Sequence, residues 1–242
     1  MIRGILFDLD NTLFDFVRMK RNAVEAAVCA MIDSGMPLSR EEATARIFEI
    51  YSRQGIEYQE VLDHFLEERF GTINPRWLSA GIVAYRRARE ASLVLYPHVN
   101  YTLIELLKRG LRLAVISDAP RKEAWLRLCY LDLHHLFDTV ITFEDTGSRK
   151  PSPGPFEQAL RLLELQPSEV LMVGDWPERD MVGAKRLGIR TVFARYGDTF
   201  DTEESGADFE INDLSELLDV LEQIHTEKTC APARTAKTQK TP

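Results

Sequence analysis

Short apolar runs alternate with longer amphipathic segments over most of this chain, and the alternation predicts a parallel α/β fold. Six runs rich in branched or aromatic residues have the length and composition of buried β-strands. They span 2–7, 111–116, 139–143, 170–173, 191–194 and 209–211. Segments of helical length lie after residue 96, at 99–109, 121–130, 153–163, 179–187 and 214–224. Strands that alternate with helices in this way indicate a parallel sheet with right-handed crossovers.

The segment 15–95 departs from this alternation, because about eighty residues pass with helical periodicity and without a strand. Gly35 ends its first helix, and Ser39 followed by Glu42 forms a capping box for the second. We therefore predict a helical module inserted into the α/β core. The predicted division of the chain is a core at 1–14 and 96–224 and an inserted module at 15–95.

Composition and charge narrow the class of protein. The chain has 242 residues, of which 45% are hydrophobic, so it can bury a substantial core. Its three scattered cysteines indicate a reducing compartment, and no apolar run approaches the ~18 residues of a membrane span. The net charge of -8 argues against a nucleic-acid partner. We predict a cytoplasmic protein, monomeric or homodimeric, that binds neither nucleic acid nor membrane.

The last residues differ in composition from the rest of the chain. Residues 225–242 are rich in Thr, Ala, Pro and Lys and contain hardly any apolar side chain. Such a segment cannot recover its ordering entropy by burial. The composition therefore predicts a disordered tail.

Two carboxylates stand at the end of the first predicted strand. Asp8 and Asp10 directly follow the buried run, and side chains two residues apart on a strand share a face. Like charges held that close are costly unless a cation or a shared proton relieves them. The pair therefore indicates a metal site or a carboxyl with a raised pKa, although the same residues alone are also typical of an ordinary turn.

Polar residues follow the later strands at the same end. Ser117 ends the second strand, Lys150 lies beyond the third, and Asp175 and Asp180 follow the fourth. We expect them to converge with Asp8, because α/β sheets bind ligands where the carboxyl ends of their strands meet. Taken singly, a serine is typical of a helix N-cap, a lysine of the solvated surface and an aspartate of a helix start. Only the ordered set points to a shared site.

The ordered set resembles the four motifs of the haloacid dehalogenase-like (HAD) hydrolases. The matching residues are Asp8-Leu9-Asp10-Asn11-Thr12, Ser117, Lys150 and the Gly174-Asp175 pair followed by Asp180. The likeness extends to about Ile224 and includes a helical insert of the kind called a C1 cap. Within the superfamily, Gly183-Ala184-Lys185 and Ala194-Arg195-Tyr196-Gly197 look most like an archaeal-type group of glyceraldehyde 3-phosphate phosphatases. The resemblance implies an α/β fold with a Rossmann-like three-layer parallel sheet core and an inserted all-helical cap.

The resemblance also implies a Mg²⁺-dependent phosphatase that acts on a small phosphorylated metabolite such as phosphoglycolate or glyceraldehyde 3-phosphate. Asp8 would be the nucleophile that forms an aspartyl-phosphate, and Asp10 the general acid and base. Ser117, Lys150 and the backbone N–H of Asp118 would hold the phosphoryl group. The implied magnesium ligands are Asp8, the backbone carbonyl of Asp10, Asp175 and, directly or at one remove, Asp180.

Particular residues bear on the alternative functions of the protein. Asp10 disfavours a 2-haloacid dehalogenase, which lacks a second aspartate in the first motif. Lys20 stands near the place of a phosphonatase's cap lysine, but Lys20-Arg21 is interpreted as a solvated helix face. A sugar phosphomutase of the same fold and a non-catalytic phosphate-binding regulatory protein stay open as alternatives. Candidates to line the cleft from the cap are Tyr51, Arg53, Tyr58, Trp77, Tyr85 and Arg86.

Overall fold

A six-stranded parallel sheet forms the centre of the computed structural model, which describes residues 1–229. The strands are β1 (Gly4–Phe7), β2 (Arg112–Ile116), β3 (Thr139–Ile141), β4 (Val170–Gly174), β5 (Arg190–Ala194) and β6 (Phe209–Ile211). Their order across the sheet is β3-β2-β1-β4-β5-β6, and every neighbouring pair is parallel. The predicted α/β fold class is confirmed. The chain runs from β1 outward through β2 to β3 and then crosses back to place β4 on the other side of β1, so a crevice opens above the carboxyl end of β1.

Ten helices accompany the sheet in the described part of the chain. They are α1 (Phe16–Asp33), α2 (Arg40–Gln54), α3 (Val61–Phe70), α4 (Pro75–Ala91), α5 (Val99–Lys108), α6 (Arg121–Tyr130), α7 (Phe143–Thr146), α8 (Pro153–Leu163), α9 (Val182–Arg186) and α10 (Leu217–Thr229). Short 3₁₀ turns and one π-helix, Pro177–Met181, join them. None of these helices is both long and apolar enough to cross a membrane.

Alternate residues of β1, β2 and β4 enter two separate cores, as the period of two along a strand requires. Ile5 and Phe7 of β1 pack with apolar side chains of α5, α6 and α10 on one face. Leu6, between them, packs with α8 and α9 on the other face. The molecule therefore has a helix-sheet-helix arrangement of three layers, with the strands buried on both sides.

Helices α1 to α4 surround a third apolar cluster of their own. The cluster includes Val24 and Met31 of α1, Ile47 of α2 and Phe65 of α3. Two connectors join these helices to the sheet and run side by side, because Phe14 pairs with Leu95 in an antiparallel bridge. This geometry supports the predicted inserted module, whose role as a cap stays a prediction.

Several element boundaries differ from the sequence prediction. The third strand ends at Ile141 rather than 143, because Thr142 and Asp145 form a capping box that starts α7. The helix expected from 179 begins instead as the π-helix Pro177–Met181. The predicted disordered tail begins too early, since α10 continues to Thr229. The remainder of that predicted tail, 230–242, lies outside the described residues.

Candidate active site

Loops after three strands bring four of the predicted polar residues to one edge of the sheet. Asp8 follows β1, Lys150 lies beyond β3, and Asp175 and Asp180 follow β4. Together with Asp10, these four side chains line a cavity of about 680 Å³, the candidate catalytic cavity, which we call the catalytic cavity. Residues far apart in sequence therefore meet where the carboxyl ends of the parallel strands converge.

The loop after β1 turns sharply so that its carboxylates face this cavity. Asn11 adopts the left-handed backbone conformation, with φ of 60°, which asparagine tolerates better than most residues. The Leu13 N–H donates to the carbonyl oxygen of Leu9 at 3.0 Å and closes the turn. The chain then enters α1, whose first turn is capped by the Asp15 side chain. The local sequence thus explains how Asp8 and Asp10 are held at the strand end.

Lys150 lies between two carboxylates of the site. Its ammonium donates to Oδ1 of Asp8 and lies 2.7 Å from Oδ1 of Asp180. All three side chains are buried, with at most about a tenth of their surface exposed. Burial by itself lowers the pKa of Lys150, but Asp180 and Asp8 outweigh it and raise that pKa. The lysine is therefore a fixed positive charge beside Asp8.

A buried threonine joins the loop after β1 to the loop after β4. The Thr12 hydroxyl lies 3.3 Å from Oδ2 of Asp8 and 3.2 Å from Oδ1 of Asp175. Oxygen atoms of Asp8, Asp175 and Asp180 all lie within 4.8 Å of one another. Three carboxylates at this spacing suit a hard divalent cation such as Mg²⁺, which prefers oxygen ligands.

The charge of the whole cavity favours a bound cation. Six acidic side chains line it, against three basic ones. The acidic residues are Asp8, Asp10, Glu57, Asp118, Asp175 and Asp180, and the basic ones are Arg149, Lys150 and Arg179. Because carboxylates crowded together repel one another, a divalent cation would relieve the excess. The donor set and its charge therefore fit the magnesium implied by the resemblance.

Asp10 is held by an arginine that no motif predicted. The Arg127 side chain, on α6, donates from Nη1 to Oδ2 of Asp10 at 2.6 Å. Its Nη2 donates to Glu57, which lies between α2 and α3 in the helical insert. Arg127 is only 4% exposed, and its guanidinium lies 4.7 Å from the ring centroid of Phe16. The buried Arg127 side chain thus connects Asp10, the second carboxylate of the first motif, to the helical insert.

Three carboxyls of the site hold their protons more tightly than usual. Burial raises the pKa of Asp10 to about 7, with Arg127 opposing the rise. Burial likewise raises the pKa of Asp180 to about 7, with Lys150 opposing it. The pKa of Asp175 is raised well above its ordinary value by burial and then by the charge of Asp8. A pKa near neutrality suits a group that both donates and accepts a proton.

These shifts predict an unusual pH dependence of stability for the metal-free protein. The folded state keeps protons on Asp10 and Asp180 that the unfolded chain loses near pH 3.8. The free energy of unfolding should therefore fall as pH rises from about 4 to about 7. Urea unfolding in EDTA between about pH 5 and about pH 7.5 measures the slope. Asp10→Asn should flatten it, and a wild-type stability that rises across this range would contradict the expectation.

Both carboxylate oxygens of Asp118 accept hydrogen bonds from other residues of the protein. Oδ1 accepts a hydrogen bond from the backbone N–H of Lys150 at 2.9 Å, and Oδ2 accepts one from Arg179 at 3.1 Å. These donors offset its negative charge at the phosphate position predicted from the sequence. The predicted phosphate contact through the backbone N–H of Asp118 stays a prediction.

Ser117 lies at the end of β2 but is almost wholly buried. Its Oγ accepts a hydrogen bond from the Ala119 N–H at 3.2 Å, which leaves the hydroxyl hydrogen free to donate elsewhere. Among the described residues, the other predicted site residues line the cavity, whereas Ser117 does not. Its contact with a phosphoryl group stays a prediction.

Close approach of the Asp180 side chain to the backbone explains a glycine in the fourth motif. A Cβ added to Gly174 would lie 2.3 Å from Oδ2 of Asp180, far closer than atoms can approach. That oxygen also accepts a hydrogen bond from the Trp176 N–H at 3.1 Å. The π-helix begins immediately after Trp176 and returns Asp180 to the strand end. Glycine at this position therefore leaves room for the buried carboxylate.

Aromatic residues form one wall of the catalytic cavity. Trp176 stacks at 4.6 Å on Phe200, and both rings line the cavity. The Arg179 guanidinium lies 3.6 Å from the Trp176 centroid. Trp176 thus forms part of the cavity wall.

The candidate cap residues do not all reach the catalytic cavity. Tyr58 lines it, but Tyr51, Tyr85 and Arg86 line a second cavity instead. Trp77 packs against Phe70 inside the helical insert, and Arg53 pairs with Glu68 on the surface. The interpretation of Lys20 as solvated is wrong, because Lys20 is only 6% exposed. Helical periodicity identifies amphipathic faces but not which of two cavities a face borders.

Comparison with known proteins agrees with the motifs and the fold. A family model described as haloacid dehalogenase-like hydrolase matches residues 5–194. A glyceraldehyde 3-phosphate phosphatase of Methanocaldococcus jannaschii is 37% identical, covering 93% of this chain and 99% of that protein. One of Methanothermobacter thermautotrophicus is 33% identical, covering 91% and 100%. The crystal structure of an HAD phosphatase from Thermococcus onnurineus matches with a TM-score of 0.68 at 26% identity, covering 91% and 98%. The chain therefore belongs to the haloacid dehalogenase-like hydrolases.

Proposed function

We propose that this protein is a Mg²⁺-dependent phosphatase that hydrolyses a small phosphorylated metabolite, of the glyceraldehyde 3-phosphate or phosphoglycolate type. The observation that carries the proposal is the placement of Asp8. Its carboxylate contacts the Lys150 ammonium and lies within the three-carboxylate cluster formed with Asp175 and Asp180. A carboxylate attacks a phosphate ester only if the charge of its target is neutralised. Lys150 supplies one positive charge beside Asp8, and a divalent cation held by the three carboxylates would supply the other.

In the first step an oxygen of Asp8 attacks phosphorus and forms an aspartyl-phosphate. The bond between phosphorus and the ester oxygen breaks, and Asp10 gives its proton to the departing alcohol. In the second step water attacks phosphorus, Asp10 takes a proton from it, and the bond to Asp8 breaks. Inorganic phosphate leaves and both carboxyls regain their starting forms. The near-neutral pKa of Asp10 supports both of its roles.

Mg²⁺ would be held by Asp8, Asp175, Asp180 and the backbone carbonyl of Asp10, and would stabilise negative charge on the phosphoryl oxygens. Lys150 holds the same group from the protein side as a compact, buried cation. Thr12 fixes the relative position of Asp8 and Asp175 through its hydroxyl. These contacts position the nucleophile before a substrate arrives, which lowers the reorganisation required during reaction.

The position of the helical insert favours the proposal of a small substrate rather than a polymer. Residues between α2 and α3, among them Gly55, Ile56 and Tyr58, line the catalytic cavity opposite the strand ends. A cover of this kind would exclude bulk water around a short ester. The relatives named as glyceraldehyde 3-phosphate phosphatases, similar over nearly their whole length, support a triose phosphate as the first substrate to test.

A panel of phosphorylated metabolites ranked by kcat/KM, with phosphate release as the readout, tests the proposal. We expect turnover of glyceraldehyde 3-phosphate or phosphoglycolate in Mg²⁺ alone. A requirement for a sugar bisphosphate would favour the phosphomutase alternative, and no turnover on any member would favour a non-catalytic binding protein. The cytoplasmic location and the choice between monomer and homodimer stay predictions from the sequence.

A further inference from the structure

A second cavity of about 140 Å³ lies between the helical insert and α6. It shares Glu57 and Tyr58 with the lining of the catalytic cavity, and Arg127 stands in its wall. Since Arg127 also contacts Asp10, the ion pair between Arg127 and Glu57 lies where the two cavities adjoin. Asp8, Asp10 and Lys150, which carry the proposed reaction, do not line this space.

Lys20 reaches into the second cavity from α1 and is surrounded by aromatic rings. Its Nζ donates to the hydroxyl of Tyr85 at 3.1 Å. It also lies 4.8 Å from the ring centroid of Tyr51, 5.5 Å from that of Phe16 and 5.9 Å from that of Tyr85. With 6% of its surface exposed, Lys20 cannot solvate its charge in bulk water.

The ammonium of Lys20 has no carboxylate partner among the described residues, 1–229, within 4.0 Å. An ammonium has three N–H donors, and the Tyr85 hydroxyl accounts for one of them. The neighbouring phenol of Tyr51 does not supply a negative charge, because burial raises its pKa. A buried cation without a counterion is costly, although the aromatic faces offset part of that cost.

Lys20 is the buried basic residue of this lining that has no carboxylate partner in the part of the chain that the structure describes. Four basic and three acidic residues line the cavity, and Arg127 also pairs with Asp10 outside the lining. Arg127 pairs with Glu57, and Arg89 pairs with Glu123 at 3.3 Å. The acidic members would repel a phosphate dianion, whereas a single negative charge would balance Lys20. The remaining walls are largely apolar and come from Met19, Val61, Leu62, Ile82, Leu93 and Leu126.

We propose that this cavity binds a small monocarboxylate, with the carboxylate on the Lys20 ammonium and a short carbon chain against the apolar walls. The Tyr85 and Tyr51 hydroxyls, 3.4 Å apart, are further polar contacts beside the ammonium. The cavity is too small for a large ligand. Its buried ammonium, which has no carboxylate partner within residues 1–229, would be balanced by one negative charge. The carboxylate could belong to a separate metabolite or to the organic part of a phosphorylated acid.

Calorimetric titration of the full chain with propionate tests the site directly and needs no enzymatic activity. We expect Lys20→Met to weaken propionate binding at least about tenfold, the loss of a charge-assisted contact. Lys122→Met, which removes an exposed lysine on α6, should bind as the wild type does. Asp8→Asn should also retain binding, because the site is distinct from the catalytic cavity.

Tyr85→Phe keeps the ring while removing the hydroxyl, so it serves if Lys20→Met does not fold. It should weaken propionate binding about fivefold, the worth of one hydrogen bond. Three results would overturn the proposal: no binding to the wild type, equal binding to Lys20→Met or to Tyr85→Phe, or loss of binding in Asp8→Asn. The titration stands even if the proposed phosphatase activity fails.

A phosphatase assay with an aryl phosphate whose aryl group carries no charge then distinguishes the two sources of the carboxylate. Competition by propionate, seen as a higher KM, would mean that the carboxylate belongs to the substrate. A change in kcat with unchanged KM would mean a separate metabolite that acts through Arg127 and Asp10. Either outcome supports binding at Lys20, because the titration has already located it there.

Discussion

Replacing Asp8 by asparagine is expected to lower kcat by about 10⁵-fold or more, which is the scale of losing a catalytic nucleophile. The amide cannot form the aspartyl-phosphate and also removes the negative partner of Lys150. The substitution is nearly isosteric, and it relieves repulsion among Asp8, Asp175 and Asp180. The loss should therefore arise from chemistry rather than from unfolding.

Phosphate release from the best substrate in excess Mg²⁺ measures this effect, with thermal unfolding as a check on the fold. Asp33→Asn is a suitable control, because Asp33 is exposed at the end of α1, far along the insert from the strand ends. The control should retain wild-type kcat. An Asp8→Asn protein that keeps activity within tenfold of the wild type would rule out Asp8 as the nucleophile.

Chelation of divalent cations is expected to abolish turnover, and added Mg²⁺ to restore it. Binding should also stabilise the fold, by about 2.7 kcal/mol at a Mg²⁺ concentration 100 times the Kd. For a chain of this size that corresponds to a rise in Tm of roughly 5–10 °C. The physical reason is that the cation removes repulsion among Asp8, Asp175 and Asp180 that Lys150 only partly offsets.

Asp175→Asn tests the contribution of the cation independently of that of Lys150. Lys150 contacts Asp8 and Asp180, whereas the Asp175 side chain accepts from the Thr12 hydroxyl. Its replacement should reduce the Mg²⁺-induced rise in Tm and raise the Mg²⁺ concentration needed for activity. The Asp33→Asn control should show the full rise. Full activity of the wild type in excess EDTA would contradict a role for magnesium.

The proposed chemistry and the proposed carboxylate site meet at one side chain. Arg127 contacts Asp10 on one side and Glu57 of the insert on the other. It shares the Phe16 ring with Lys20, whose Nζ lies 5.5 Å from the centroid. A ligand at Lys20 would therefore adjoin the residue that positions the general acid and base. The insert would contribute to catalysis through this contact as well as by covering the site.

The order of motifs in the sequence predicted the site, because the carboxyl ends of all strands in a parallel sheet lie at the same edge. Each strand end can therefore be located from its own neighbouring residues. A buried strand followed by a polar residue places that residue at the carboxyl edge, whatever the rest of the chain does. Asp8, Lys150, Asp175 and Asp180 were accessible to this reasoning, and the structure brings them together.

What the sequence alone determined is the alternation of strands and helices, the inserted helical segment and the edge at which the polar residues meet. Each depends on periodicity and capping within a few neighbouring residues. The tertiary structure alone decided that Arg127 holds Asp10, that Asp118 is satisfied by Arg179, and that Lys20 is buried. These contacts join residues far apart in sequence, and partners at that separation are selected by packing, which leaves no periodic signal.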